Sequence, residues 1–300
     1  MNTLKPKILE NTIKTIRSYI TEETCPIQKW DTRTGVHVAP NEFKLNPGSE
    51  HTMCAGDRYT VTYDDTVWFC AEFTVPQSMD GQRVYLHLDF GGEALVRLDG
   101  VIAGAVSSAA NSGWVHRDEI LLSECAQGGR TYKIEAESTV CSGALCDVVL
   151  GGGSSITYTV APAYLMAVNR EVQGYTFFVA TVYDALDCIQ DQAIKTKVYN
   201  ALDVSLHMLD FDLGRDAFVK SVQPAADYLH KKLALIPNAP QGEVIMAGHS
   251  HLDVAWLWTT KELVRKTART FANNLALMEQ YGDFKFTQSQ AIVYDYMKRY

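Results

Sequence analysis

Three hundred residues, 47% hydrophobic and 21% charged, are enough for a large core and about two domains. Lys and Arg number 27 against 35 Asp and Glu, a net charge of −8 with no basic stripe, which speaks against a nucleic-acid partner. No apolar run approaches about 18 residues, so neither a membrane span nor a signal-peptide core is expected, and the odd set Cys25, Cys54, Cys70, Cys125, Cys141, Cys146 and Cys188 fits reduced thiols in a cytoplasm.

Leu4, Ile8, Leu9, Ile13, Ile16 and Ile20 recur at helical spacing and predict a leading helix. From about Tyr59 to Tyr158 the period becomes two. Tyr59-Val61-Tyr63, Trp68-Cys70-Glu72 (a run ended by Pro76), Val84-Leu86-Leu88-Phe90, Ala94-Val96-Leu98 and Tyr132-Ile134-Ala136 each alternate with residues of the opposite face. Asp99-Gly100 reads as the turn of a hairpin leading into Val101-Ile102. Short strands with frequent turns suggest an antiparallel β-sandwich of jelly-roll type. Trp68 and Trp114 could stack on sugar, but a core or interface role is the better reading for each. Cys141 and Cys146, five apart in a Gly/Ser-rich stretch, make a weak metal pattern.

Gly151-Gly152-Gly153-Ser154-Ser155 marks a loop, and from about Gln173 to Leu235 apolar residues recur at three and four. Pro237-Asn238-Ala239-Pro240 reads as a linker. Beyond it, Val244-Ile245-Met246-Ala247 has the length of a buried strand, and Thr259-Thr260-Lys261-Glu262 has the form of a helix capping box. Val264, Ala268, Phe271, Leu275 and Met278 form one apolar stripe taken as the core face of that helix, which Tyr281-Gly282 closes. Phe284 to Gln288 reads as a second strand, completing a β-α-β unit. The expected architecture is therefore multidomain α+β. Residues 1–172 form an N-terminal antiparallel sandwich with a leading helix, 173–240 a helical connecting segment, and 241–300 the start of an α/β, barrel-like catalytic domain.

Between the first strand and its helix stands Gly248-His249-Ser250-His251-Leu252-Asp253-Val254-Ala255-Trp256-Leu257-Trp258. The carboxyl end of a strand is where α/β folds hold ligands and metals. His251 and Asp253, at i and i+2, project to one side of an extended backbone. An imidazole nitrogen and a carboxylate oxygen suit zinc or a cobalt-like substitute, although an open catalytic site needs a further ligand from elsewhere. The alternative is a set of strand-end histidines satisfied by backbone. Trp256 stands open between a core role and a platform for the C–H face of a sugar; Trp258 reads as buried under the helix start.

The stretch from Ala247 to Trp258 resembles the opening motif of the glycoside hydrolase family 38 α-mannosidases, in the branch of the cytosolic and vacuolar type. The likeness continues through Ala268-Arg269-Thr270-Phe271, Leu277-Met278-Glu279-Gln280-Tyr281 and Phe286-Thr287-Gln288-Ser289-Gln290. It is strong over 244–300 and fainter over the sandwich. The resemblance implies a retaining, zinc-dependent exo-α-mannosidase acting on α-mannoside oligosaccharides. It implies His251 and Asp253 as zinc ligands and Trp256 in the mannose subsite. His249 is not carried over as a ligand, and neither Asp283, Asp295 nor any earlier acid matches the family's nucleophile or acid/base, which are expected beyond Tyr300. No nucleic-acid or membrane partner is expected, and a homo-oligomer is left open. Two rivals remain at this point: an amidohydrolase-type hydrolase using both His249 and His251, and a non-catalytic carbohydrate-binding protein.

Overall fold

The helical and the two-periodic stretches of sequence separate in space, though along different boundaries from those the pattern suggests. The computed structural model describes residues 4–39, 42–62, 65–108, 117–139, 155–236, 245–256 and 258–299. The chain divides into a helical unit, residues 1–23 and 167–244, and a second unit, residues 24–166 and 245–300. Trp114, Cys141, Cys146, the glycine loop at 151–153 and the linker at 237–240 lie outside the described residues.

In the helical unit, α1 (Leu4–Ser18) joins α2 (Arg170–Ala185), α3 (Gln192–His207) and α4 (Arg215–Ala234). Its Leu9, Ile13 and Ile16 enter one core with Val172, Val179, Leu202, Phe218 and Leu229. The leading helix, grouped by sequence with the sandwich, thus completes the helical core, because its apolar stripe needs other helices to bury it. Asn169 and Asp191 cap α2 and α3 by accepting from backbone N–H groups of the first turn. The Tyr175 hydroxyl meets Ser205 Oγ at 2.8 Å, and that hydroxyl donates to the Ala225 carbonyl, so one buried chain of bonds crosses three helices.

The strands predicted near Tyr59, Trp68, Val84, Ala94, Val101 and Tyr132 are present, together with others that the alternation did not single out. They are β1 (Thr21–Ile27), β2 (Lys29–Ala39), β3 (Glu42–Leu45), β4 (His51–Cys54), β5 (Arg58–Thr62), β6 (Asp65–Thr74) and β7 (Arg83–His87). There follow β8 (Glu93–Leu98), β9 (Val101–Ser107), β10 (Glu119–Ser123), β11 (Thr131–Thr139), β12 (Ser155–Thr159) and β13 (Ala163–Val168). One sheet runs β3-β2-β6-β11-β8-β9 with β4 also on β2, a second runs β1-β13-β7-β10, and β12 pairs with β5. The ladders β6–β11, β8–β11 and β7–β10 are antiparallel. Trp30, Phe69 and Ile134 from the first sheet and Leu86, Ile120 and Leu165 from the second are fully buried. Trp30 meets Phe90 edge-on at 5.3 Å. Asp99 (φ 51°) and Gly100 (φ 82°) form the two-residue turn that pairs Leu98 with Val101. Trp68 is 4% exposed and packs edge-on against Phe43, the core role expected of it. The cysteines Cys25, Cys54, Cys70, Cys125 and Cys188 are free thiols.

The β-α-β unit is present: β14 (Gly248–His249) lies parallel to β15 (Phe286–Thr287), with α5 (Thr260–Gln280) between them and α6 (Ala291–Arg299) after. Two expectations are corrected here. The strand expected at 244–247 is displaced to Gly248–His249, and Ile245 and Met246 are 87% and 84% exposed. The only ladder they adjoin among the described residues, β15, pairs with Gly248 and His249 instead. The apolar stripe of α5 is also only partly a core face: Val264 and Ala268 are buried, whereas Leu275 and Met278 are exposed.

The reason lies in what α5 packs against. The helix rests on β8 and β9 of the sandwich, where Ala272 meets Leu95 and Ala105, and Asn273 Oδ1 accepts from the Ala105 N–H at 2.8 Å. The buried face is otherwise ionic. Arg265 donates to Glu137 of β11 at 2.9 Å; Arg269 pairs with Glu262 and, at 3.0 Å, with Glu93 of β8; Lys266 pairs with Glu93. Three helix cations thus face three carboxylates. Burial alone would raise the Glu93 pKa, but Arg269 and Lys266 prevail and hold it at about 2. His37, 4% exposed beside this cluster, has its pKa pushed below the ordinary value by burial and then by Arg265.

Candidate metal centre

After His249 the chain leaves the ladder, and the motif residues follow on irregular backbone between β14 and α5. Leu252, 7% exposed, anchors this turn in a small core with Leu263, Val264, Val293 and Tyr296. The odd-numbered neighbours of Leu252 then point outward. His251 Nε2 lies 3.1 Å from Asp253 Oδ1, with side chains 70% and 39% exposed. Two donors sharing a tetrahedral zinc ion at about 2.1 Å each would sit roughly 3.4 Å apart. The pair as folded, in hydrogen-bond contact, has nearly that separation.

His249 is placed differently. Its Nε2 reaches Ser289 Oγ, at the end of β15, at 3.4 Å. The structure therefore brings His251 and Asp253 together and leaves His249 beside Ser289. Trp256 is 64% exposed and meets Trp258 edge-on at 5.6 Å, so it has the accessible indole a sugar platform needs. Trp258, expected to be buried, is half-buried; its Nε1 donates to the Asp253 carbonyl at 3.1 Å, and the Lys266 ammonium lies 4.6 Å from its ring centre. Because Lys266 also pairs with Glu93, a continuous set of contacts runs from Asp253 to sandwich strand β8.

The Thr-x-x-Glu sequence forms half of a capping box. Thr259 Oγ1 accepts from the Glu262 N–H at 3.3 Å, while the Glu262 carboxylate is taken by Arg265 and Arg269. Sequence reasoning missed the polar residues that hold the motif from the other strand, Gln288 and Gln290. Gln288 donates to the Ser250 carbonyl, and Gln290 bonds both backbone groups of Leu252. A period-two strand pattern carries no sign of such contacts.

Among the described residues, three potential ligands come within 4.8 Å of one another at His87, Asp118 and Glu119, and not at the motif. That trio is half-buried, with His87 stacked on Tyr164 and 3.7 Å from Asp118, and burial raises the Glu119 pKa. At the motif, His251 and Asp253 are the two potential donors that lie close together.

Residues 241–300 match the family described as Glycosyl hydrolases family 38 N-terminal domain, and residues 19–165 match Alpha-mannosidase, jelly roll domain. The chain is 27% identical over 293 residues to Alpha-mannosidase 2C1 of Mus musculus, covering 95% of this chain and 25% of that protein. It is 24% identical over 243 residues to Alpha-mannosidase G of Dictyostelium discoideum, covering 77% of this chain and 21% of that one. The chain therefore spans about a quarter of the length of these curated relatives. A β-glucuronidase of Faecalibacterium prausnitzii overlaps half of the chain and 32% of its own at 13% identity, but with a TM-score of only 0.33.

Proposed function

We propose, for a chain that belongs to glycosyl hydrolase family 38 and carries an N-terminal portion of it, that it supplies part of the active site of a zinc-dependent, retaining exo-α-mannosidase. The observation that carries this reading is the 3.1 Å approach of His251 Nε2 to Asp253 Oδ1, exposed at a strand end, within the segment matched by the family 38 domain. In this reading His251 offers the lone pair of a neutral imidazole and Asp253 a carboxylate oxygen to one ion. Zinc bound there would supply Lewis-acid grip on neighbouring hydroxyls of the sugar. Trp256 offers its flat face to the C–H side of the same ring and excludes water from it.

Bond cleavage with retention needs two carboxylates, one as nucleophile and one as acid and then base. Asp295 is engaged by Arg299 on its own helix, and Asp283 is exposed beyond the end of α5. Neither stands beside the His251–Asp253 pair, and we assign both catalytic carboxylates to the longer protein. Terminal α-mannosides of oligosaccharides are the proposed substrates, and the cytoplasm the proposed compartment. No helix among the described residues is long and apolar enough to cross a membrane.

Calorimetric titration of the chain with zinc tests the assignment. Weak one-to-one binding, lost in His251→Ala and Asp253→Ala, is expected, because two protein ligands leave most of the coordination to water. Tight binding untouched by His251→Ala would overturn it and point to other ligands such as the thiols.

A further inference from the structure

Backbone that leaves a β-ladder loses its hydrogen-bond partners and must find others. Residues 250–253 do so through side chains. Gln288 Nε2 donates to the Ser250 carbonyl at 2.6 Å. Gln290 Oε1 accepts from the Leu252 N–H at 3.2 Å, and its Nε2 donates to the Leu252 carbonyl at 2.5 Å. Trp258 Nε1 closes the set on the Asp253 carbonyl. The held groups flank His251 on both sides and lead directly into Asp253.

The glutamines are themselves fixed. Gln288 is 7% exposed, its Oε1 accepts from the Gln290 N–H at 3.1 Å, and the Tyr294 hydroxyl donates to its carbonyl at 3.2 Å. Each carboxamide has a carbonyl against its NH2 end and an N–H against its oxygen end, so each is satisfied in one orientation only. Both lie just past β15, whose pairing with β14 sets their height relative to the motif. The loop is therefore registered against the second strand by two side chains as well as by the short ladder.

We propose that Gln288 and Gln290 are positioning residues for the His251–Asp253 pair, clamping the peptide groups around His251 so that its imidazole and the Asp253 carboxylate stay at the separation one ion requires. The consequence for metal rests on the ligand assignment above; the clamp itself rests only on the backbone bonds. The physical gain is pre-organisation. Two exposed ligands on a free loop lose backbone freedom when an ion joins them, whereas ligands on a held loop have lost it already. Loss of groups that orient ligands costs about 10- to 100-fold in metal affinity.

The test uses the intact 300-residue chain, with Co(II) as probe, in wild type, Gln290→Ala, Gln290→Glu and His251→Ala. Circular dichroism checks that each variant is folded, and amide exchange at Leu252 is followed by NMR without metal. In Gln290→Ala we expect Leu252 exchange to quicken by about tenfold or more, Co(II) affinity to fall by about tenfold or more, and the visible Co(II) band to change. Gln290→Glu keeps the acceptor for the Leu252 N–H and loses the donor to its carbonyl, so it should retain most amide protection while still weakening Co(II). Unchanged exchange in Gln290→Ala overturns the clamp. Faster exchange with unchanged Co(II) affinity overturns the positioning role. Equal Co(II) binding by wild type and His251→Ala removes the ligand assignment, and the positioning role with it, independently of the exchange result.

Discussion

Arg265 of α5 and Glu137 of β11, 128 residues apart, meet with Arg265 Nε and Nη2 at 3.1 and 2.9 Å from one carboxylate oxygen, their side chains 4% and 3% exposed. A helix that begins just after the 248–258 motif is thus locked to the sandwich by a desolvated ion pair. Arg97 of β8, at 3.5 Å from the other Glu137 oxygen, and Glu262, at 3.5 Å from Arg265 Nη1, complete its surroundings. The sandwich is in this sense part of the scaffold of the site.

Breaking that pair by removing one partner leaves the other charge buried. Glu137→Ala and Arg265→Ala should each destabilise the second unit by about 3–5 kcal/mol. The double variant should cost clearly less than the sum of the two, because it strands no charge. Urea unfolding followed by tryptophan fluorescence measures this, and additive losses would show that the two groups act separately.

Stability toward acid should depend on Glu93. Its folded pKa, about 2, lies below the ordinary 4.5 because Arg269 and Lys266 outweigh the effect of burial. A depressed carboxylate contributes fully above its unfolded value and loses that contribution as pH falls through the folded one. Stability should therefore decline between about pH 4.5 and pH 2, and Glu93→Gln should flatten that limb while lowering stability at neutral pH. An acid limb of unchanged slope in Glu93→Gln would place the titrating group elsewhere.

The two motif histidines should not be equivalent. On the zinc assignment proposed above, His251→Ala should abolish metal binding by the chain, since it would remove a ligand. His249, whose ring reaches Ser289, should act through strand-end packing, with a milder loss of metal. Metal analysis of the purified variants decides; equal losses would favour a site using both imidazoles.

Gly91 should tolerate no side chain. Its φ is 73°, and a Cβ would stand 2.5 Å from the Tyr158 ring. That ring is 9% exposed and stacked on Tyr59, whose hydroxyl bonds the Phe90 carbonyl, so it has little room to yield. Gly91→Ala should cost about 1–3 kcal/mol, readable as a shifted urea midpoint; a neutral result would mean that the tyrosine stack moves freely.

The sequence by itself marked the sandwich strands from Tyr59 onward, because alternation along Trp68 to Phe73 or Val84 to Phe90 signals extended backbone, although neighbours of both faces, Trp68 and Phe69 or Val84 and Tyr85, are buried. It determined the Asp99-Gly100 turn through local φ preference, and the helix start at Thr259 through its cap. It named His251 and Asp253 as a pair, but on the expectation of an extended strand; the two lie on irregular backbone past β14, so their approach is a product of the fold. What only the tertiary structure decided is what each amphipathic element packs against. The α1 stripe joins the later helices, a choice that periodicity cannot express. On α5, Glu262, Arg265 and Arg269 are buried and Leu275 and Met278 are exposed. Polarity predicts the reverse, and it fails because carboxylates on distant strands, Glu93 and Glu137, supply the charge that makes burial of those cations tolerable. The glutamines holding the motif were hidden for the same reason: a side-chain bond to backbone 38 residues away leaves no trace in spacing, only in the fold.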